Sequence, residues 1–116
     1  MSRRSESPAR LSRTAPVFAA LGDGTRLALV DRLGRDGPQS IARLTAGSKM
    51  TRQAITKHLN VLAEAGLVRS ARRGRERIWA GDVERLEEAR RCLEQISSQW
   101  DDALHRLKDF VEEDRR

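Results

Sequence analysis

The sequence predicts a mainly α-helical fold with one small β-hairpin. Three observations lead to this prediction. Short segments of helical periodicity, bounded by capping residues and glycines, fill residues 14–65. Two strand-like runs flank a tight turn at residues 73–75, and an uninterrupted apolar heptad pattern extends over residues 83–113. The expected order is therefore four helices, two strands and one long last helix.

Capping residues mark the first two helices. Thr14 is predicted to begin the first helix, because a hydroxyl caps a helix well and Pro16 is tolerated in the first turn. Asp23 is predicted to cap the second helix. The inward positions of that second helix are expected to be Leu27, Val30 and Leu33.

The third and fourth helices are separated by a glycine-containing break. Residues 38–40 are expected to open the third helix over residues 41–46, and the break follows at residues 47–49. Thr51 is predicted to cap the fourth helix, residues 52–65, which Gly66 ends. The buried stripe of the fourth helix is expected to be Ile55, Leu59 and Leu62.

The hairpin and the last helix complete the expected fold. Strands are predicted over residues 67–72 and 76–80, with Trp79 packed beneath them. The last helix carries an apolar seam of coiled-coil spacing, formed by Leu86, Leu93, Trp100 and Leu107 with Ala89, Ile96, Ala103 and Phe110 between them.

The basic residues are concentrated in the middle of the chain. With 116 residues the chain is expected to be one domain. Residues 40–81 contain nine basic and two acidic side chains, whereas residues 82–116 contain seven basic and eleven acidic ones. Such clustering is typical of a nucleic-acid binder. We expect a disordered basic arm over residues 1–13, a DNA-binding domain over residues 14–81 and a dimerisation helix over residues 82–116.

Composition argues against several other classes of protein. The single cysteine, Cys92, excludes an internal disulfide and fits a reducing cytoplasm, and it leaves a redox-sensing thiol as an alternative. No apolar run reaches the roughly 20 residues of a membrane span, and no secretory signal is evident. Two histidines, without a Ser/His/Asp arrangement or a phosphate-binding loop, argue against an enzyme.

The order of the fourth helix and the hairpin is that of a winged helix-turn-helix, which places one helix in the major groove and a β-wing on the flanking backbone or minor groove. Arginine and lysine can donate to guanine, glutamine can bond adenine, and dense arginines can hold phosphates. For His58 a packed or phosphate-contacting position is favoured over base contact. The expected DNA-binding residues are Thr51, Arg52, Gln53, Thr56, Lys57, His58, Arg72, Arg73, Arg75 and Arg77.

The apolar stripe of the last helix is too long for the other elements to cover. A homodimer is the simplest way to bury it, with a fold-back near residues 97–98 as the alternative. Two reading helices about one DNA turn apart would then demand a roughly palindromic operator. The expected dimerisation residues are Phe18, Leu86, Leu93, Ile96, Trp100, Leu104 and Leu107.

Three segments resemble the ArsR/SmtB-type winged helix-turn-helix repressors. They are FAALGDGTRLALVDRL at residues 18–33, IARLTAGSKMTRQAITKHLNVLAEAGLV at residues 41–68 and RRGRERIWA at residues 72–80. The resemblance implies a cytoplasmic, dimeric repressor that uses its first and last helices for dimerisation. It also implies that an effector, which the sequence does not identify, controls operator occupancy.

The residues that coordinate metal in the metal sensors of this family are poorly matched in this sequence. The third helix has no cysteine, and Asp101 or Asp102 with His105 would need a carboxylate from a second subunit. The sequence therefore predicts no metal and no cofactor, and the tail looks like that of the metal-independent subgroup. A metal-responsive sensor and a protein-interaction module that has lost DNA binding are the alternative functions.

Overall fold

The computed structural model describes the backbone of residues 3–115 and the side chains of residues 9–115. Within this range the chain forms five helices and one three-stranded antiparallel sheet. The predicted mainly α-helical fold with a hairpin wing is thereby confirmed. The elements are α1 (Arg3–Leu21), α2 (Gly24–Asp36), β1 (Gln39–Ser40), α3 (Ile41–Thr45), α4 (Arg52–Glu64), β2 (Val68–Arg73), β3 (Glu76–Gly81) and α5 (Val83–Asp114).

An aliphatic core holds these elements together. The side chains of Leu59 and Leu62 on α4 and of Leu67 just before β2 are 0% exposed. Trp79 on β3 is buried, as predicted, beneath the hairpin. The stripe predicted for α4 is therefore confirmed, and α4 is fixed with one face in the core. The other buried apolar residues are Val17, Ala20, Leu29, Leu33, Leu44, Ile55, Val68, Ala89 and Cys92.

The sheet contains one strand more than the sequence predicted. β1 pairs with β3, with Gln39 opposite Trp79 and Ser40 opposite Ile78, which gives the strand order β1-β3-β2. Ser40 also caps α3, because its side chain accepts a hydrogen bond of 3.2 Å from the backbone N–H of Arg43. Two residues are too few to show the alternation of a strand, so this pairing could not be found by periodicity.

The first helix begins well before the predicted start. Thr14 lies inside α1, is 5% exposed and donates its hydroxyl hydrogen to the carbonyl oxygen of Arg10 at 2.8 Å. Residues 3–13, for which the sequence predicted a disordered arm, belong to α1 in this structure, and residues 1–2 lie outside the described residues. Thr14 is buried with Val17 and Ala20, and such tertiary packing stabilises a helix that local capping rules alone would have started later.

One inward position of α2 was assigned to the wrong residue. Leu27 is 54% exposed, whereas Leu29 and Leu33 are buried and Val30 packs against the core. Leu27, Val30 and Leu33 do have helical spacing, but Leu29 and Leu33 are four apart and share a face equally well. Periodicity alone could not decide between Leu27 and Leu29 in so leucine-rich a segment.

The predicted starts of α2 and α4 and the predicted end of α4 are confirmed. The side chain of Asp23 accepts from the N–H of Arg26 at 3.1 Å, and that of Thr51 accepts from the N–H of Ala54 at 3.1 Å. Gly66 has a φ of 80°, which is the left-handed conformation that ends α4.

The last helix is continuous over its whole length. α5 extends from Val83 to Asp114 without a break, so the alternative of a fold-back near residues 97–98 is wrong. Ala89 and Cys92 are buried, while the farther half of the helix projects from the core and makes the molecule 69 Å long. No helix within residues 3–115 is both long enough and apolar enough to cross a membrane.

Asp82 joins the wing to α5. Its carboxylate accepts from the backbone N–H of Arg85 at 3.2 Å and from Nε of Arg69 at 2.9 Å. These hydrogen bonds, that of Arg85 first, hold the pKa of Asp82 below its usual value of 3.8. The ionised carboxylate therefore stabilises the fold above that ordinary pKa, and this contribution disappears as the pH falls through the lowered value.

We expect Asp82→Ala to lower the free energy of unfolding by about 1 kcal/mol at pH 7, because α5 loses its cap. In urea titrations at fixed protein concentration, the difference from the wild type should shrink as the pH falls below the ordinary pKa. Asp82→Ser is the control, since it keeps a capping oxygen and loses only the ion pair with Arg69. Equal stability of Asp82→Ala and the wild type at pH 7 would contradict the assignment.

Candidate DNA interface

The exposed face of α4 is polar and basic. Gln53 and Lys57 lie on it opposite the buried stripe, and the exposed side chain of Arg52 flanks them at the start of the helix. Thr56 lies beside them and is half-buried. The core thus presents four of the predicted base-contacting side chains along one side of a single helix.

One further residue of this face, Asn60, is not among the predicted DNA-binding residues. Asn60 is exposed and lies three residues after Lys57, which itself lies four residues after Gln53. These intervals place the three side chains on one side of a helix. Asparagine can bond adenine with two hydrogen bonds, as glutamine can. The helical periodicity that predicts the buried stripe also predicts that Asn60 lies on the exposed face.

The N-terminal end of α4 is suited to contact a phosphate. Thr51 caps the helix through its side-chain oxygen, and the N–H groups of the first turn have no carbonyl partners within the helix. Lys49 is exposed in the turn that leads into α4, where Ser48 Oγ accepts from the N–H of Met50 at 3.0 Å. Thr51 therefore acts in this structure as the cap of α4, beside N–H groups that have no carbonyl partner within the helix.

His58 differs from the other predicted residues of α4. Its Nδ1 atom lies 3.4 Å from Nη1 of Arg26 and 3.9 Å from Oδ1 of Asp23, and its side chain is 21% exposed. It therefore faces α2 rather than the exposed face of α4. The packed position, which the sequence analysis favoured over base contact, is the one observed.

Arg26 connects three helices behind the exposed face of α4. Its Nε donates to the carbonyl oxygen of Ala20 near the end of α1 at 2.6 Å, while its Nη1 approaches His58 on α4. Asp23, which caps α2, has its pKa lowered mainly by the backbone N–H of Arg26, with further contributions from the charges of Arg26 and His58. This cluster helps to fix the orientation of α4 relative to α1 and α2.

The wing exposes four arginines around its turn. Arg72 lies directly opposite Arg77, and Arg73 lies opposite Glu76, across a turn in which Gly74 has a φ of 65°. Like charges placed directly opposite each other on a hairpin are destabilising. An anion bound between Arg72 and Arg77 would remove that repulsion. Arg75, at the tip, is exposed.

The base of the wing has a different environment from its tip. Arg69, at the base, is paired with Asp82, whereas Arg77, nearer the turn, donates from Nη1 to Oγ of the uncharged Ser70 at 2.8 Å. The charge of Arg69 is therefore already compensated within the chain. The arginines with charge available to a second molecule are concentrated toward the tip.

The acidic residues and the histidine of α5 form no metal site in this structure. His105 is exposed, and its Nδ1 lies 3.0 Å from the backbone carbonyl oxygen of Asp101. Within the described part of the chain, no group of three or more His, Cys, Asp or Glu side chains is placed to hold a metal ion.

Comparison with known proteins agrees with this geometry. Residues 21–71 match the model of a family described as a helix-turn-helix domain. The chain is 43% identical over 68 residues to the uncharacterized HTH-type transcriptional regulator YuzN of Bacillus subtilis, a match that covers 53% of this chain and 74% of the relative. The HTH-type transcriptional regulator Rv2034 of Mycobacterium tuberculosis is 35% identical over 88 residues, which are 76% of this chain and 78% of that protein.

A solved structure specifies the family more closely. The ArsR-like transcriptional regulator from Rhodococcus sp. RHA1 superposes with a TM-score of 0.69 at 40% identity, over 85% of this chain and 92% of that one. The chain belongs to the ArsR-like winged helix-turn-helix regulators. This ArsR-like regulator is accordingly a DNA-binding transcriptional regulator, as the sequence predicted, and its family is one of regulators and not of enzymes.

In the ArsR-like regulator, Arg75→Ala should weaken binding to all DNA sequences alike, because a phosphate contact carries no sequence information. The slope of log affinity against log salt concentration should become shallower by about 0.9 for each phosphate that the variant no longer neutralises. Fluorescence anisotropy with a labelled duplex at several salt concentrations measures both effects.

The matched control for Arg75→Ala is Arg69→Ala, at a wing arginine that Asp82 already pairs. We expect its salt slope to stay close to that of the wild type. A slope that changes with Arg69→Ala and not with Arg75→Ala would show that the tip of the wing does not contact the backbone.

Proposed function

We propose that this ArsR-like regulator is a homodimeric repressor that binds a roughly palindromic operator. Residues 52–65 would lie in the major groove, and the wing, residues 69–77, on the flanking backbone or minor groove. Residues 82–116 would serve mainly for dimerisation, together with α1. One observation carries this proposal: a single chain exposes both a basic reading surface and an uncovered apolar face on its longest helix.

The reading surface supports binding of a defined sequence. Gln53, Lys57 and Asn60 present amide and ammonium groups along one side of α4, with Arg52 beside them. Such groups distinguish base pairs by their hydrogen bonds in the major groove. The wing then adds arginines that recognise the charge and shape of the backbone. Together they supply both specificity and affinity.

The apolar face of α5 supports the dimer. Leu93 is about half exposed, Trp100 is 64% exposed, and Leu104 and Leu107 follow at helical spacing. Phe110 and Val111 extend the face toward the end of the helix. Phe18 and Leu86 are instead packed partly against the core of their own chain, and Ile96 is half-buried. The exposed members of the predicted set are therefore those that a second copy would cover.

A stable dimer requires that most of this apolar face be buried. Six apolar side chains from each copy, each already partly buried, would contribute on the order of 10 kcal/mol if the second copy covered them. Association itself costs about 4–15 kcal/mol in lost translational and rotational freedom. The two quantities are similar, so one charge in the middle of the face should shift the equilibrium strongly toward the monomer.

An operator selected from a randomised pool of duplexes tests the reading surface. We expect Gln53→Ala and Arg52→Ala to reduce discrimination between the operator and single-base variants by about 1–3 kcal/mol at the contacted positions. Arg75→Ala serves as the matched control, since it should weaken all duplexes equally. If discrimination stays at the wild-type level in both α4 variants, α4 is not the reading helix.

The dimer is tested by Trp100→Glu, which should give monomers with greatly weakened operator binding, because two half-sites would no longer be bound together. Ser98→Glu adds the same charge at an exposed position on another side of α5 and should remain dimeric. Sedimentation velocity at micromolar concentration measures the assembly of both variants. A Trp100→Glu protein that sediments as a dimer would refute this interface.

Repression is tested with the selected operator placed upstream of a reporter gene. Transcription with purified polymerase should fall when the wild-type protein is added and should be unaffected by Trp100→Glu. An increase in transcription would instead make the protein an activator at that operator.

A further inference from the structure

A basic cavity lies between α1 and α5, away from the exposed face of α4. Its volume is about 260 Å³, which is ample for a small organic anion. Arg10 and Arg13 line it from α1, and Arg85 and Arg91 line it from α5. Thr14 and Glu88 complete the lining.

The charges around this cavity are not balanced. Among the described residues 9–115, four guanidinium groups and one carboxylate give the lining a formal charge of +3. Arg85 approaches Glu88 at 3.5 Å and Arg91 approaches Glu87 at 3.6 Å, so both α5 arginines are only loosely paired. Arg10 and Arg13 form no ion pair with a carboxylate of residues 9–115.

The hydrogen-bond donors of the lining determine which kind of ligand fits. The hydroxyl hydrogen of Thr14 is engaged with the carbonyl oxygen of Arg10, so the available donors are the guanidinium N–H groups. Guanidinium groups bind carboxylate and phosphate oxygens with two parallel hydrogen bonds. A lining of this kind therefore favours a ligand with several anionic oxygens.

We propose that this cavity binds a small polyvalent anion, a phosphate ester or a polycarboxylate, that regulates the protein. A ligand with two or three negative charges would neutralise the lining and connect α1 to α5. For its regulatory step, the inference rests on the proposed function as a DNA-binding dimer. The binding step involves one chain's own residues and needs no DNA.

Arg85 provides the physical connection to the reading helix. A Cβ atom at Gly66, the residue that ends α4, would lie 2.9 Å from Nε of Arg85, so the guanidinium is packed against the end of that helix. The backbone N–H of Arg85 is also bound to Asp82 at the base of the wing. An anion that binds the Arg85 guanidinium in the cavity would therefore act on the same side chain that packs against the end of α4.

Calorimetry with the full chain and no DNA tests the binding step. Sodium pyrophosphate and sodium citrate are titrated separately at constant ionic strength, and we expect at least one of them to bind saturably with one site per chain. The tighter of the two identifies the ligand as phosphate-like or carboxylate-like. Arg13→Gln and Arg91→Gln should each weaken binding about tenfold or more, because each removes a charged pair of hydrogen bonds.

Arg106→Gln is the matched control, since it removes the same charge at an exposed position of α5 outside the cavity lining. It should bind the anion as the wild type does. Equal weakening in all three variants, or no saturable heat with either salt, would overturn the site. The first outcome would mean attraction to the net charge of the chain only.

The regulatory step is tested by operator affinity with and without the tighter anion. We expect the anion to change the affinity of the wild type and of Arg106→Gln, and not that of Arg13→Gln. No change in the wild type at saturating anion would overturn the regulatory role. Weakened operator binding by Arg13→Gln without any anion, with a shallower salt slope, would overturn it too, because the cavity would then contact DNA. If the wild type bound the anion but bound no DNA, the proposed function would be refuted and the anion site would stand.

Discussion

The burial of one aliphatic stripe on α4 is the constraint on which the rest of the structure depends. Leu59 and Leu62 are completely shielded from solvent, and Ile55 is almost as deeply buried. A helix with one face fixed in the core must present the opposite face outward. The outward direction of Gln53, Lys57 and Asn60 is therefore a consequence of core packing. The contacts of Arg26 then reinforce this orientation from behind.

Features decided by neighbouring residues could be predicted from the sequence. The caps at Asp23 and Thr51 and the left-handed Gly66 each depend on a few adjacent atoms, and all were found where expected. The exposed face of α4 and the arginines of the wing followed from the same reasoning. The dimer was predicted from the long apolar stripe of the last helix, and the family resemblance added the expectation of an effector, which local patterns do not contain.

Features decided by distant partners could not be predicted in this way. The length of α1 depends on the packing of Thr14 and Val17, and β1 exists only because β3 is available to pair with it. The choice between Leu27 and Leu29 on α2 depends on the shape of the surrounding core. The cavity between α1 and α5 is likewise invisible in the sequence, since its arginines come from segments about 70 residues apart.

The junction between the wing and the last helix has a mechanical consequence. Only Asp82 separates the end of β3 from the start of α5, and its backbone N–H is bonded to the carbonyl oxygen of Leu67 at 2.8 Å. There is thus no loop between the wing and α5 that could serve as a hinge. In the dimer proposed above, a change in the crossing angle of the two α5 helices would swing both wings as rigid levers. The separation of the wings on the duplex would then report directly on the geometry of the subunit interface.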